Sequence, residues 1–245
     1  MSSPTLRIAQ SNRILATLPR AGLERVIPDL EVIPLPLRMV LQSRGRKAEH
    51  VFFPLTGVAS MVTTGNSGTS LEVATIGCEG MIGLPLFLGG ESAAAEIFIQ
   101  VPGDGLRMAA GAFRRHVESE RTLHRSLLLY TQALLTQVGQ CSVCTHSHPI
   151  GARCARWLLQ THDRVKGDEF PLTHEFIGLM LGVRRATVTV VAQDLQARGL
   201  IRYHRGVISV INRAGLERAS CDCYALISRE FARLTLAMKR APVPT

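Results

Sequence analysis

Short apolar runs separated by glycine and proline dominate the first half of the chain. An opening stretch, residues 6–30, has apolar positions typical of one or two short helices. Between residues 31 and 110 the residue pattern is typical of β-strands, with a turn signal at residues 65–68. The clearest strand candidates are Val51–Pro54, Val58–Val62, Leu71–Ile76 and Ile97–Val101. Many short strands at this spacing predict a small antiparallel barrel or roll.

A helical period replaces the strand pattern from Ala112 to about His146. Apolar side chains recur there at steps of three and four, which places them on one stripe: Leu123, Leu127, Tyr130, Leu134, Val138 and Cys141. A helix of about thirty residues is roughly 45 Å long. Since a narrow apolar stripe on so long a helix favours pairing with a second copy, we predict that these six residues form a homodimer seam. Packing of the stripe on the chain's own roll is the alternative.

A helix-turn-helix pattern occupies residues 173–201. Thr173 is a good N-cap for a first helix that runs to Leu181, where Gly182 interrupts the pattern. A second helix of about twelve residues follows. Its apolar stripe consists of Val188, Val191 and Leu195.

The polar face of the second helix carries the residue types that read the major groove. Arginine pairs with guanine, and Thr or Gln bonds base edges or phosphates. Two β runs joined around Arg205-Gly206 follow and predict a wing whose arginines meet phosphate. The predicted DNA contacts are Arg184, Arg185, Thr187, Thr189, Gln193, Thr173, Arg202 and Arg205. A helical hairpin with a solvated basic face is the alternative for the two helices alone.

Charge supports a polyanionic partner for this region. The net charge is +9 at pH 7 and the pI is about 9.9. Residues 149–245 hold 15 basic and 8 acidic residues, a balance of +7, so the positive field belongs to the part with the helix-turn-helix. We therefore predict binding to double-stranded DNA.

These features together resemble the Crp/Fnr superfamily of bacterial transcription regulators. The most specific segment is LTHEFIGLMLGVRRATVTVVAQDLQARGLIRYHRGVISV, supported by VFFPLTGVASMV and VATIGCEGMIGLPLFLG. The resemblance implies an α+β chain with a cyclic-nucleotide-binding-like β-roll, a long dimerisation helix and a C-terminal winged helix-turn-helix. The corresponding ranges are 10–111, 112–148 and 149–212, followed by a C-terminal helical extension at 213–245. It further implies a homodimer on a roughly palindromic operator, with RNA polymerase as a partner.

Carried over residue by residue, the resemblance puts Arg185 at the position that pairs with guanine, and Arg184 and Thr187 at positions expected near phosphates. Ala186 and Val190 stand where other members have Glu and a second arginine. The usual operator sequence of the family is therefore not expected. Whether the protein activates or represses transcription is left open.

The sensor part departs from the cyclic-nucleotide-binding pattern. The residues at the pocket positions are Ile82, Gly83, Leu84, Ala93 and Ala94, with Leu84 where the ribose-binding Glu would stand. No Lys or Arg occurs between Lys47 and Arg107. Because burying an unpaired phosphate is costly, an uncharged or hydrophobic effector, or none, is expected in the roll.

Cys141, Cys144, His146 and His148 form the one sequence cluster with ligand-type side chains. No bound metal or cofactor is predicted, although a redox or metal role for this cluster and a haem ligand elsewhere stay open. The absence of cysteine from residues 1–77 argues against an N-terminal iron–sulfur cluster. Cys221 and Cys223 are too close for a chelate on one helix, so we expect them to serve packing.

No catalytic motif supports an enzyme, so none is predicted. The alternative from another class is a sensor or scaffold that binds a protein through the roll and has a non-functional DNA module. The apolar stretch Leu71–Gly90 is interrupted by charges, proline and glycines. We therefore expect a cytoplasmic protein with no membrane partner.

Overall fold

The computed structural model describes residues 4–65 and 70–239. The helices are α1 (Pro4–Ala9), α2 (Arg20–Val26), α3 (Leu84–Phe87), α4 (Ala110–Ser119), α5 (Arg121–Ser147), α6 (Ile150–His162), α7 (His174–Leu181), α8 (Arg185–Ala197), α9 (Arg213–Ala219) and α10 (Cys223–Lys239), with 3-10 turns at Leu15–Thr17 and Ile27–Asp29. The strands are β1 (Glu31–Leu35), β2 (Val40–Gln42), β3 (His50–Pro54), β4 (Val58–Thr64), β5 (Ser70–Ile76), β6 (Glu96–Val101), β7 (Gly103–Ala109), β8 (Glu169–Pro171), β9 (Ile201–His204) and β10 (Val207–Val210).

Two antiparallel sheets form the predicted β-roll. Their strand orders are β1-β7-β3 and β2-β6-β4-β5. The four predicted strand runs fall on β3, β4, β5 and β6 and are confirmed. Most of the predicted turn at 65–68 lies outside the described residues. Apolar side chains of both sheets meet those of the N-terminal helices in one core, with Leu15, Phe53 and Phe113 fully buried.

The single helix predicted from Ala112 to about His146 is two helices. Glu120 leaves the helical region, with φ −106° and ψ 88°, and separates α4 from α5. Its carboxylate is buried and accepts a 2.6 Å hydrogen bond from Nε of Arg25. This contact with Arg25 of α2 holds the junction of α4 and α5 against the N-terminal helices. The remaining long helix, α5, has 27 residues and is about 40 Å long.

A second core belongs to the C-terminal half. It is built by α6, the sheet β8-β10-β9, α7 and α8 around fully buried Trp157 and Phe170. This is the predicted winged helix-turn-helix, and the mixed α+β class of the chain is confirmed.

The last helical stretch, predicted as continuous from Arg213 to Arg240, is also divided. The chain turns extended at Ser220, with ψ 163°, so α9 ends before α10 begins. The structure does not describe residues 240–245. The long α10 packs back along α5, and its Met238 joins the core of the N-terminal half. Within 4–65 and 70–239 no helix combines the length and apolarity needed to cross a bilayer.

Candidate nucleic-acid interface and effector cavity

The turn between α7 and α8 depends on two glycines. Gly182 ends α7 with φ 67°, a left-handed conformation that side chains with a Cβ rarely adopt. At Gly178 a Cβ would lie 2.8 Å from the carbonyl oxygen of Val183, so only glycine permits the tight approach of the turn. Thr173 caps α7 as predicted, since its hydroxyl accepts a 3.2 Å hydrogen bond from the Phe176 N–H.

The outward face of α8 begins with two arginines. Arg184 is the N-cap and Arg185 the first helical residue, and both are exposed. Gln193 is exposed two turns further on, and Val190 is 66% exposed on the same side. The opposite stripe packs into the second core, as the sequence predicts. The helix therefore presents its N-terminal end, with cations and an apolar patch, to solvent.

Thr189 is an exception among the predicted base-reading residues. Its hydroxyl donates to the Arg185 carbonyl oxygen at 3.1 Å and lies 3.0 Å from Nδ1 of His174. The imidazole of His174 stacks on the Tyr203 ring of β9, with centroids 4.0 Å apart. Thr189 thus links α8 to α7 and the wing, and its contact with DNA stays a prediction.

His174 was not selected from the sequence, yet it contacts both helices of the motif and the wing. Burial, and secondly the nearby Arg185 charge, lower the pKa of this imidazole below its ordinary value. Its Nε2 is buried without a hydrogen-bond partner among the described residues. The His174 ring therefore serves as a packed spacer between α7, α8 and the wing.

The wing is a two-residue hairpin. Arg205 and Gly206 both have positive φ, 47° and 79°, as a type I′ turn requires. The Gly206 carbonyl accepts a 2.8 Å hydrogen bond from the Leu172 N–H, which fixes the wing beside the start of α7. Arg202 and Arg205 are exposed on the hairpin.

Besides Arg198, which pairs with Asp194, four exposed arginines lie on the helix-turn-helix and wing: Arg184, Arg185, Arg202 and Arg205. None of them forms an ion pair with a carboxylate within residues 4–65 and 70–239. Thr187 is half-buried on the first turn of α8. Unpaired guanidinium groups on one module provide the donors that phosphates and guanine edges bind.

The predicted dimer seam is buried inside the chain. Leu123, Leu127, Tyr130 and Leu134 are at most 6% exposed and belong to the core of the roll. The Tyr130 hydroxyl donates to the Met81 carbonyl at 3.1 Å. Cys141 is also buried, and Val138 is half-buried against the same core. The seam prediction is wrong because these residues pack on the chain's own roll, which was the alternative.

A different stripe of α5 is exposed. Leu128 and Leu135, seven residues apart, are 51% and 67% exposed, and Val143 is 51% exposed. Gly139 lies between them, with open space where a Cβ would be. This outer stripe has the spacing and the small residue that let a second helix approach closely.

A cavity of about 420 Å³ lies between the roll and α5. Gly83, Leu84 and Ala93 line it as predicted, whereas Ile82 is buried against Phe52 and Ala94 is exposed outside it. The remaining wall is mainly apolar and comes from the roll, α3 and α5. Its residues are Met61, Ile76, Met81, Pro85, Leu88, Ile97, Leu134, Leu135 and Val138, with the polar Gln42 and Thr131. Among the described residues, no cation lines this cavity.

One polar group of the cavity lacks a partner. Gln42 is 6% exposed, and its Nε2 donates to the Ala95 carbonyl at 3.1 Å. Its Oε1 has no hydrogen-bond partner among the described residues. A buried acceptor of this kind is satisfied by a ligand that carries a donor.

Two buried polar contacts join the roll to α6 and the loop that follows it. The Trp157 indole N–H donates to Glu72 at 2.6 Å, and Nε of Arg164 donates to Glu79 at 2.7 Å. Burial raises the pKa of Glu72 to about 7, against the opposing effect of its hydrogen bonds and nearby arginines. Glu79 lies close in sequence to the cavity residues Met81 and Gly83.

A family profile described as the Crp-like helix-turn-helix domain matches residues 152–219, the range from α6 to α9. Those residues are similar to that domain, and we call them the Crp-like domain. Solved structures resemble most of the chain in fold. FixK2 from Bradyrhizobium japonicum aligns with TM-score 0.67 at 17% identity, covering 78% of this chain and 98% of FixK2.

Two further solved structures align over most of the chain. A putative Crp/Fnr-family regulator from Eubacterium rectale aligns with TM-score 0.65 at 15% identity, over 84% of this chain and 96% of that one. The c-di-GMP responsive regulator CLP of Xanthomonas campestris has TM-score 0.62 at 14% identity, over 78% and 99%. The chain therefore has the Crp/Fnr fold. No curated protein matches the sequence.

Proposed function

We propose that the protein is a sequence-specific DNA-binding transcription regulator that acts as a homodimer. The observation that carries the proposal is the group of exposed, unpaired arginines on the Crp-like domain, at the start of α8 and on the wing. A scaffold with an inactive DNA module would not need this group. RNA polymerase is the further partner that such a regulator requires.

Each side chain on this surface has a proposed role. Arg185 makes a bidentate pair with a guanine, while Arg184 and the wing residues Arg202 and Arg205 contact phosphates. Val190 is exposed and apolar, so it favours a thymine methyl at its base pair. These roles predict an operator half-site in which a guanine lies next to a position that favours thymine.

The outer stripe of α5 is the proposed dimer interface. Pairing Leu128 and Leu135 with a second copy would bury apolar side chains that are now in water. A two-fold dimer presents two recognition helices to successive major grooves, about 34 Å apart along the duplex.

The proposed effector is a small, uncharged, largely apolar molecule with one hydrogen-bond donor. A volume of about 420 Å³ suits such a ligand. Gln42 Oε1 would accept from its donor, and the missing cation disfavours a cyclic nucleotide. The cavity is closed by Leu134, Leu135 and Val138 of α5, so its occupancy would affect the helix that forms the dimer.

A gel-shift titration with DNA selected from a random pool tests the DNA-binding proposal. Wild-type protein should bind selected DNA with an affinity that falls steeply as salt is raised. Arg185→Ala should cost about 1–3 kcal/mol per half-site and relax the preference at one base pair.

The control variant is Arg20→Ala, which removes an exposed arginine outside the Crp-like domain and should bind as the wild type does. If Arg185→Ala loses as much affinity for random DNA as for the selected DNA, Arg185 is a phosphate contact. Failure of the wild-type protein to select any sequence would overturn the proposed function.

A further inference from the structure

Four ligand-type side chains meet where α5 ends and α10 begins. Cys144, His148, Cys221 and Cys223 each offer one ligand atom, and these atoms all lie within 4.8 Å of one another. Sγ of Cys144 is 3.5 Å from Sγ of Cys221, and Sγ of Cys223 is 3.5 Å from Nδ1 of His148. All three cysteines are buried and free.

The local structure explains why the sequence did not reveal this cluster. Cys144 and His148 are four residues apart at the end of α5, so they share a face. Cys221 precedes α10 and Cys223 is its first residue, so the pair does not lie along one helix. The expectation that Cys221 and Cys223 serve packing stays a prediction, and the structure places both beside Cys144 and His148. His146, the other predicted member, is exposed.

Two of the six distances between the ligand atoms match those of a tetrahedral zinc site, and all six are within 4.8 Å. With Zn–S near 2.3 Å and Zn–N near 2.05 Å, the edges of the tetrahedron are about 3.8 Å between two sulfurs and about 3.5 Å between sulfur and nitrogen. The two measured separations of 3.5 Å lie within a few tenths of an ångström of these values.

We propose that Cys144, His148, Cys221 and Cys223 bind one Zn²⁺ ion per chain in a closed Cys₃His site. Three thiols lose their protons on binding, and neutral His148 coordinates through Nδ1. Four protein ligands leave no open position, which is the arrangement of a structural rather than a catalytic zinc.

Neighbouring polar groups support this assignment independently of the ligands. Nε2 of His148 lies 3.2 Å from a carboxylate oxygen of Asp222, which fixes the ring with Nδ1 toward Cys223. Carboxylates orient metal-bound histidines in the same way. Gln140 donates through Nε2 to Sγ of Cys223 at 3.1 Å, a hydrogen bond that stabilises a thiolate.

Two arginines more than offset the charge of the proposed site. A zinc ion with three thiolates carries one net negative charge, and the guanidinium groups of Arg153 and Arg156 lie within electrostatic reach of Cys144 and Cys221. Arg156 donates to Sγ of Cys141 at 3.5 Å, so Cys141 faces α6 beside the cluster. Both arginines are nearly buried, which is costly without an anionic neighbour.

The site connects elements that the DNA-binding proposal uses. It joins the end of α5 to the start of α10, and Arg153 donates to the carbonyl of Leu181 at the end of α7 at 2.7 Å. The three buried thiols form a small cluster apart from both hydrophobic cores. Zinc would thus replace hydrophobic packing as the link at this junction.

Metal analysis of the reduced full-length protein tests the proposal. We expect about one zinc per chain, and release of it when the thiols are titrated with a mercurial reagent. After removal of zinc, Co²⁺ should produce thiolate-to-cobalt charge-transfer absorption and the visible bands of a tetrahedral ion, both abolished by added Zn²⁺. A protein that yields no such spectrum, or that contains iron and inorganic sulfide at this site, overturns the proposal.

Variants assign the ligands. Cys144→Ser and Cys223→Ser should lose the ion and show a lower melting temperature, whereas Cys141→Ser, one turn away on the same helix, should retain full zinc content. His148→Cys should keep the ion and increase the cobalt charge-transfer absorption, because four thiolates replace three. Full zinc content in Cys144→Ser would refute the ligand set, and the wild-type cobalt spectrum decides the matter even where a variant does not fold.

Discussion

Glu72 is a carboxylate that the fold buries at the junction between the roll and α6. It is 7% exposed and accepts the Trp157 indole hydrogen bond, while its second oxygen has no partner among the described residues. Loss of water raises the pKa of Glu72 from 4.5 to about 7. The folded state therefore binds a proton that the unfolded state has already released between these two pH values.

This proton makes stability depend on pH. The contribution of protonated Glu72 is fully present below about pH 4.5 and is lost as the pH rises through about 7. Glu72→Gln keeps an acceptor for Trp157 and carries no charge. We expect the variant to be more stable than the wild type at about pH 8, and the difference to shrink as the pH falls to about 5.

Thermal unfolding at several pH values measures this effect. The control is Glu96→Gln, an exposed carboxylate on the same sheet, which should follow the wild-type curve. Parallel curves for Glu72→Gln and the wild type would show that Glu72 ionises in the folded protein as it does in water.

Single residues of the DNA surface differ in how far the sequence identifies them. Arg184 and Arg185 are predictable because the start of a helix after a glycine turn is exposed and faces outward. Thr189 is not, because its hydroxyl is engaged by His174, a partner on another helix. The proposed zinc ligands are the extreme case, since Cys221 and Cys223 lie more than seventy residues beyond Cys144 along the chain.

At the scale of elements, α5 has two apolar stripes with different partners. The inner stripe is the more regular and packs on the roll, and the outer one, with Leu128 and Leu135, faces solvent. Periodicity shows that a stripe is buried but does not show what covers it. The strands of the roll were predictable from alternation and turns, and the breaks at Glu120 and Ser220 were not. The break at Glu120 coincides with its tertiary contact with Arg25.

Charged side chains introduced on the outer stripe of α5 should dissociate the proposed dimer. Leu128→Glu with Leu135→Glu is expected to give a folded monomer that binds operator DNA weakly, since only one half-site is engaged. Light scattering measures the mass, and circular dichroism the fold. Leu37→Glu, an exposed leucine of the roll, should remain a dimer.

The inner stripe provides the contrasting result. Leu127→Glu with Leu134→Glu should abolish folding, because Leu127 is fully buried and Leu134 is 6% exposed. A folded monomer from this pair, or a dimer that survives the changes at Leu128 and Leu135, would contradict the assignment of the two faces.

At the scale of the whole molecule, the cavity, the junction and the Crp-like domain lie along one continuous path. The segment from Glu79 to Leu84 forms the ion pair with Arg164 at one end and the cavity wall at the other. A ligand that moves this segment therefore acts on the loop after α6. The fold-level order of these parts was predictable, but the partners across the junction were not.

A neutral fluorescent probe tests the cavity. N-phenyl-naphthylamine is apolar and carries one N–H donor, so its fluorescence should rise on binding to the wild-type protein. Ala93→Phe fills the cavity and should weaken binding at least about tenfold, a loss of roughly 1.4 kcal/mol. The matched control, Ala94→Phe, changes a neighbour outside the cavity and should bind the probe normally. Equal binding by the two variants would place the probe elsewhere.

The return of α10 onto α5 limits how the halves of the protein move. A regulator whose two halves meet only at Pro149 could swivel freely there. In this chain Met238 and Phe231 of α10 are held in the N-terminal core, so a wide rotation would first have to pull the last helix away. A signal from the proposed effector to DNA would therefore use small displacements with α10 in place, or begin with the detachment of α10 from α5. A shortened protein that ends after the wing would lose the restraint that α10 provides.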